Sequence, residues 1–157
     1  MGLRTTGQVT VEVDRAVAFD LIGDPLRLAQ CIPGCSDLCE VSSNLYSAVL
    51  TNEVAFIKFS FKVKVEIVKN EPPQAIEAKI TGDAVGLAGR VVANAWLQLV
   101  EAGPGATDIK YGANIGLSGK LGGLGEPVFR AKSAQVAKEF AANLKAAIET
   151  APTRTRT

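Results

Sequence analysis

An α+β fold is predicted by three observations: a curved antiparallel sheet of about seven strands, two short helices after the first strand, and one long C-terminal helix. Ile57, Phe59, Phe61, Val63, Val65 and Ile67 alternate with Lys58, Ser60, Lys62, Lys64 and Glu66, the period-two pattern of a strand with one buried and one wet face. Phe129, Val136, Phe140, Leu144 and Ile148 recur at helical spacing after Pro127. Between the first strand and the rest of the sheet, Asp24-Pro25 opens a helix and Pro33-Gly34 stops it.

Each element follows in chain order. Leu3 to Val13 reads as the first strand, with Val9, Val11 and Val13 on one parity against Thr10 and Glu12. Asp14 caps a short helix, Arg15 to Ile22. After Gly23 the Asp24 carboxylate caps a second, and Pro25 takes the first helical position, where a missing N–H costs nothing. This helix is expected to run to about Ile32, because the residue before Pro33 is pushed out of the α region; Gly34 then permits a sharp turn. From Asp37 onward about six strands are separated by Ser42-Ser43-Asn44, Asn70-Glu71-Pro72-Pro73, the Gly82 to Gly89 region and Gly103-Pro104-Gly105. Alternation places Ile76, Ala78 and Ile80 inward, then Val91, Ala93, Ala95, Leu97 and Leu99, then Ile109, Tyr111, Ala113 and Ile115. A glycine-rich connector, Gly116 to Gly125, leads into the last helix, Pro127 to about Thr150. The reading is one domain over residues 1–150 with a disordered tail over 151–157. This order is the helix-grip architecture, in which a curved sheet wraps a C-terminal helix and encloses a cavity.

Composition removes several function classes. Lys and Arg number 17 against 16 Asp and Glu, and the basic residues are scattered, which argues against nucleic acid as a partner. No signal layout or membrane-spanning apolar run is present, so a soluble, cytoplasmic protein is expected. Cys31, Cys35 and Cys39 crowd around one turn and cannot all pair within the chain, which fits a reducing compartment. Their spacing is broken by Pro33-Gly34 and matches no standard zinc or iron–sulfur pattern, so they read as small hydrophobes and no metal site is assigned.

Histidine is absent, which removes the commonest general base and metal ligand. Glu12, Glu66, Glu77, Asp83 and Asp108 all fall on outward parities, so no catalytic residue and no cofactor is assigned. Tyr111 either orients a ligand carbonyl or is a core tyrosine whose hydroxyl reaches a backbone partner. Ala78, Ala93, Ala95 and Ala113 face a helix that carries Ala137 and Ala141. Such small residues either let the helix pack closely or leave unfilled space; a void costs about 24 cal/mol per Å³, which implies an occupant. Together with Phe59, Phe61, Tyr111, Phe129, Val136 and Phe140, the four sheet alanines form the candidate ligand cavity. Cys31, Ile32, Pro33, Leu117, Leu121 and Leu124 form its candidate entrance. Trp96, on an outward parity, is an interface candidate, covered by the short helices, by a partner chain, or by nothing.

Residues Leu28-Ala29-Gln30-Cys31-Ile32-Pro33-Gly34 behind Asp24-Pro25, Tyr46 on the next strand, and Gly119-x-Leu121-x-x-Leu124-Gly125 before the last helix resemble the CoxG family of carbon monoxide dehydrogenase proteins. That family lies within the START/SRPBCC (Bet v 1-like) superfamily, and the likeness covers about Leu3 to Ile148. The resemblance implies a non-enzymatic accessory protein that holds an apolar small molecule, a quinone or lipid. It also implies a molybdenum-containing dehydrogenase as partner and peripheral contact with the inner face of the cell membrane. A polyketide cyclase or hydratase resting on Tyr111 and Thr51, a docking scaffold without ligand, and a homodimer stay open as alternatives.

Overall fold

The computed structural model describes residues 2–54, 57–86, 89–119 and 126–149. The strands are β1 (Gly2–Val11), β2 (Cys35–Ser42), β3 (Leu45–Val54), β4 (Ile57–Glu71), β5 (Ala75–Ala84), β6 (Gly89–Glu101) and β7 (Thr107–Gly119). The helices are α1 (Arg15–Ile22), α2 (Pro25–Gln30) and α3 (Glu126–Glu149). All neighbouring strands are antiparallel in the order β1-β7-β6-β5-β4-β3-β2, so consecutive strands from β2 to β7 are joined by hairpins and β1 closes beside β7.

Local chemistry explains the corners. Strand β1 stops two residues short of the expected Val13, because the chain must leave the sheet to begin α1. The buried Thr107 hydroxyl fixes that corner by donating to the Val13 carbonyl at 2.8 Å. Asp14 sits at the N-cap of α1 in extended conformation, but its side chain makes no capping bond, contrary to expectation. Asp24 does cap α2, its carboxylate accepting from the Leu26 N–H at 3.1 Å. Helix α2 ends at Gln30, ahead of the limit that Pro33 sets. Gly34 then turns with φ +81°, and a Cβ there would collide with the Thr51 carbonyl oxygen, so only glycine fits.

The edge strand β2 is irregular: its pairing to β3 shifts between Ser36 and Cys39, where Asp37 adopts φ +53°. Such bulges blunt a free edge. Buried residues form two separate groups. One gathers Val11, Ala18, Phe19, Leu21, Ile22, Cys31, Ile76, Leu97, Leu99, Ile109 and Tyr111 around Leu144 and Ile148 of α3. The other, smaller, joins Leu3, Phe59 and Leu117 to Phe129 near the start of α3. The tail expected to be disordered, 151–157, lies outside the described residues.

Candidate functional site

Strand register places the inner-face residues in rows. Leu3, Ile115, Ala93, Ile80, Val65 and Tyr46 sit side by side across β1, β7, β6, β5, β4 and β3. The next row is Thr5, Ala113, Ala95, Ala78 and Ile67, so three alanines stand beside one another in the middle of the sheet. Beyond it comes Gly7 opposite Tyr111, which is opposite Leu97. Helix α3 runs close along β1 and comes near β3, with no comparable approach to β4, β5 or β6. The alanine row lies between the two buried groups and belongs to neither. Ala78, Ala95 and Ala113 are only half-buried although they face the helix side, as are Val65, Ile80 and Val136. Inward apolar groups that keep accessible surface mark a hollow between sheet and helix.

Aromatic rings bound this hollow at both ends. Phe59 stacks on Phe61 at 6.5 Å between centroids and meets the tilted ring of Phe129 at 6.0 Å. At the other end Tyr111 packs edge-on against Phe140 at 5.2 Å. The Tyr111 hydroxyl donates to the Ala137 carbonyl at 3.1 Å, and burial pushes its phenol pKa up. Gly7 makes room for that ring, because a Cβ there would strike the Tyr111 phenol. The core-tyrosine alternative therefore holds: this hydroxyl is already engaged by α3.

The predicted lining residues thus fall into place unevenly. Phe59, Ala93, Tyr111 and Phe129 are buried, whereas Phe61, Ala78, Ala95, Ala113, Val136 and Phe140 are half-buried. The entrance residues are not brought together. Cys31 is buried in the larger group, with half-buried Ile32 and Pro33 beside it, and its carbonyl accepts from Asn143 Nδ2 at 2.9 Å near the end of α3. Leu117 is buried in the smaller group with Phe129. Fourteen residues of α3 separate Phe129 from Asn143, about 21 Å of helix, so these positions mark opposite ends of the hollow. Leu121 and Leu124 lie outside the described residues.

Thr51, expected as an inward polar group, is on the outer face instead. It pairs with Ser60, and the two hydroxyls are 3.0 Å apart. Four inward polar side chains escaped the sequence reading as candidates. Thr5 faces Ala113 across the pair, Asn52 faces Phe59, and Tyr46 faces Val65. Burial, with Glu40 and Asp24 nearby, pushes the Tyr46 phenol up. The fourth, Ser133, sits one turn after Phe129 and one before Ala137 on the inward stripe of α3. Continuing the β1 alternation through Gly7 would have found Thr5, and the helical phase would have found Ser133. Among the described residues no cluster of Cys, Asp or Glu could hold a metal ion.

The outer face carries different chemistry. A wide, open concavity of about 550 Å³ is lined there by Ser47, Val49, Lys62, Lys64, Asp83 and Arg90 among others. Arg90 and Asp83 pair across it at 3.1 Å. Trp96 is half-buried on the same face, over Gly112, where a Cβ would meet its ring, and the Arg4 guanidinium lies 5.0 Å from the ring centroid. Its cover is thus the chain's own β1 rather than the short helices.

A family model for CoxG, a carbon monoxide dehydrogenase component, matches residues 7–149. The chain belongs to the CoxG family. A search of curated proteins finds no match. Among solved structures, the chain resembles a conserved protein from Geobacillus kaustophilus, with TM-score 0.82 and 20% identity over 93% of this chain and 95% of that one. It also resembles a START superfamily protein from Mycobacterium smegmatis, with TM-score 0.70 and 10% identity over 95% and 99% of the two chains. The Zhui aromatase/cyclase from Streptomyces sp. R1128 is similar at TM-score 0.62 and 14% identity, over 100% of this chain and 98% of that one. These likenesses establish the helix-grip fold of this CoxG-family chain. Among the described residues no helix is long and apolar enough to cross a membrane.

Proposed function

We propose that this CoxG-family protein is a non-catalytic carrier that holds an apolar small molecule, a quinone or lipid, in the hollow between the alanine row and α3. Its partner is a molybdenum-containing dehydrogenase, and it works in the cytoplasm with peripheral contact at the inner face of the cell membrane. The observation that carries the reading is the half-exposed row of Ala113, Ala95 and Ala78, set between two aromatic-capped cores with no charged side chain at an inward sheet position from Val63 to Ile80 or from Val91 to Ile115. Apolar space of this kind favours a neutral ligand and penalises an ionised one. Ile32, Pro33, Leu117, Leu121 and Leu124 are proposed to line the two ends of the passage rather than one mouth.

The test is extraction of the purified protein with organic solvent, followed by mass spectrometry, beside titration with a neutral quinone. A co-purified quinone or lipid and saturable binding are expected; an empty extract together with no binding overturns the carrier role. The cyclase alternative draws only on shared fold with aromatase/cyclases. It is disfavoured because the Tyr111 hydroxyl it needs is given to the Ala137 carbonyl.

A further inference from the structure

The hollow has a polar side. Leu3 and Phe129 share one buried group, which fixes the level of β1 against α3. From that point two residues along a strand advance about 6.6 Å and four along a helix about 6 Å, which brings Thr5 and Ser133 to the same level. That level is the alanine row, since Thr5 pairs with Ala113. Further along, the tie from Tyr111 to Ala137 keeps the two elements in step, because Tyr111 pairs with Gly7, two residues past Thr5, and Ala137 stands four residues past Ser133. Both hydroxyl-bearing residues are half-buried, and neither has a side-chain hydrogen-bond partner among the described residues.

Resting on the carrier reading, we propose that Thr5 and Ser133 recognise the head of the ligand, donating hydrogen bonds to an uncharged carbonyl oxygen whose ring lies on the methyls of Ala113, Ala95 and Ala78. A carbonyl oxygen has two lone pairs and accepts from both hydroxyls at once. A carboxylate or phosphate is a poor fit, because no cation faces it: Lys132 is the nearest in sequence and lies roughly 100° around the helix from Ser133. A pure hydrocarbon would leave both hydroxyls facing apolar surface, which costs binding. The two side chains therefore select neutral carbonyl compounds among apolar molecules of similar size, and set which end of the ligand enters first.

Duroquinone and durene carry the same four ring methyls and differ in the two carbonyls, so they isolate the effect. Their affinities are measured by displacement of the hydrocarbon dye diphenylhexatriene from the full chain, from Thr5→Val and from Ser133→Ala. Each variant is expected to weaken duroquinone roughly fivefold, the worth of one net hydrogen bond, and to leave durene unchanged or slightly tighter. The infrared carbonyl band of bound duroquinone shifts to lower frequency in the native protein and moves back in each variant. Equal effects on both probes, or a carbonyl band that neither variant moves, overturn the assignment of the hydroxyls while leaving the carrier intact. If the dye and both probes fail to bind the native chain, the carrier reading falls and this assignment with it. Dye affinity and melting temperature, unchanged in Thr5→Val, separate a lost hydrogen bond from a misfolded variant.

Discussion

The two halves of α3 face the same sheet and do different things. Toward its C-terminal end, Leu144 is fully buried and Ile148 is 2% exposed, packed on α1 and the end of β1. Asn143 and the Ala137 carbonyl are tied there to Cys31 and Tyr111. Toward its N-terminal end only Phe129 is buried, and the inward positions that follow, Ser133 and Val136, are half-buried. Close packing at one end supplies the stability that lets the other border unfilled space, since an apolar void is tolerated only where the remaining core outweighs its cost.

The sharpest way to break this contrast is to truncate one side chain in each half. Leu144→Ala should cost about 3 kcal/mol or more in urea unfolding, with ligand affinity unchanged at temperatures where the variant is folded. Val136→Ala, beside the hollow, should cost no more than about 1 kcal/mol. Similar losses at the two sites would mean that the halves are packed alike.

Filling the space is the next largest test. Ala95→Leu adds bulk in the middle of the alanine row. Where atoms already fill the region, such overpacking costs about 1–3 kcal/mol; over a hollow it should change stability by less than that and abolish binding. A costly Ala95→Leu variant would favour a solid, ligand-free scaffold.

Tyr111→Phe removes the hydroxyl that ties β7 to α3 and should cost about 1 kcal/mol. It also carries a pH signature. Burial raises the Tyr111 pKa in the folded state above its unfolded value, so the folded protein holds the proton more tightly. Stability is then full below about pH 10, the unfolded value, and falls as pH rises through the folded one. Alkaline denaturation curves of native protein and Tyr111→Phe should converge in that range. Curves that stay parallel would show that the phenol is not held by α3. Gly7→Ala, which drives a Cβ into the same phenol, should produce a similar loss with the hydroxyl still present.

Much of this was legible from residue order. Every strand and helix follows from period two or the helical repeat together with Gly and Pro punctuation, because each element buries one face locally. The pairing of sequence-distant pieces was not. Trp96 reads as stranded until register sets Gly112 beside it and Arg4 above it. Cys31 and Leu117 read as neighbours at one mouth, although one belongs with the end of α3 and the other with its start. Thr51 lost its inward role to a parity that only pairing with Ser60 fixes. The Asp37 bulge lies on an edge strand, where nothing on one side enforces regular pairing.

The smallest effect is chemical rather than energetic, and the three cysteines report it without changing the core. Cys39 is exposed, Cys35 is half-buried opposite Leu50, and Cys31 is 4% exposed within the larger buried group. Burial also raises the pKa of Cys31 and Cys35, which lowers the thiolate fraction available to a disulfide reagent. Under native conditions Cys39 should react first, Cys35 more slowly, and Cys31 only at the rate at which the packed end of α3 opens. Because Asn143 and Leu144 hold that end, Leu144→Ala should speed the labelling of Cys31 while leaving Cys39 unaffected, and a bound ligand, sitting by the other half, should alter Cys31 less than Leu144→Ala does. A Cys31 that labels as fast as Cys35 in the native protein would place the opening of the molecule at the very end of α3 that close packing is argued to hold shut.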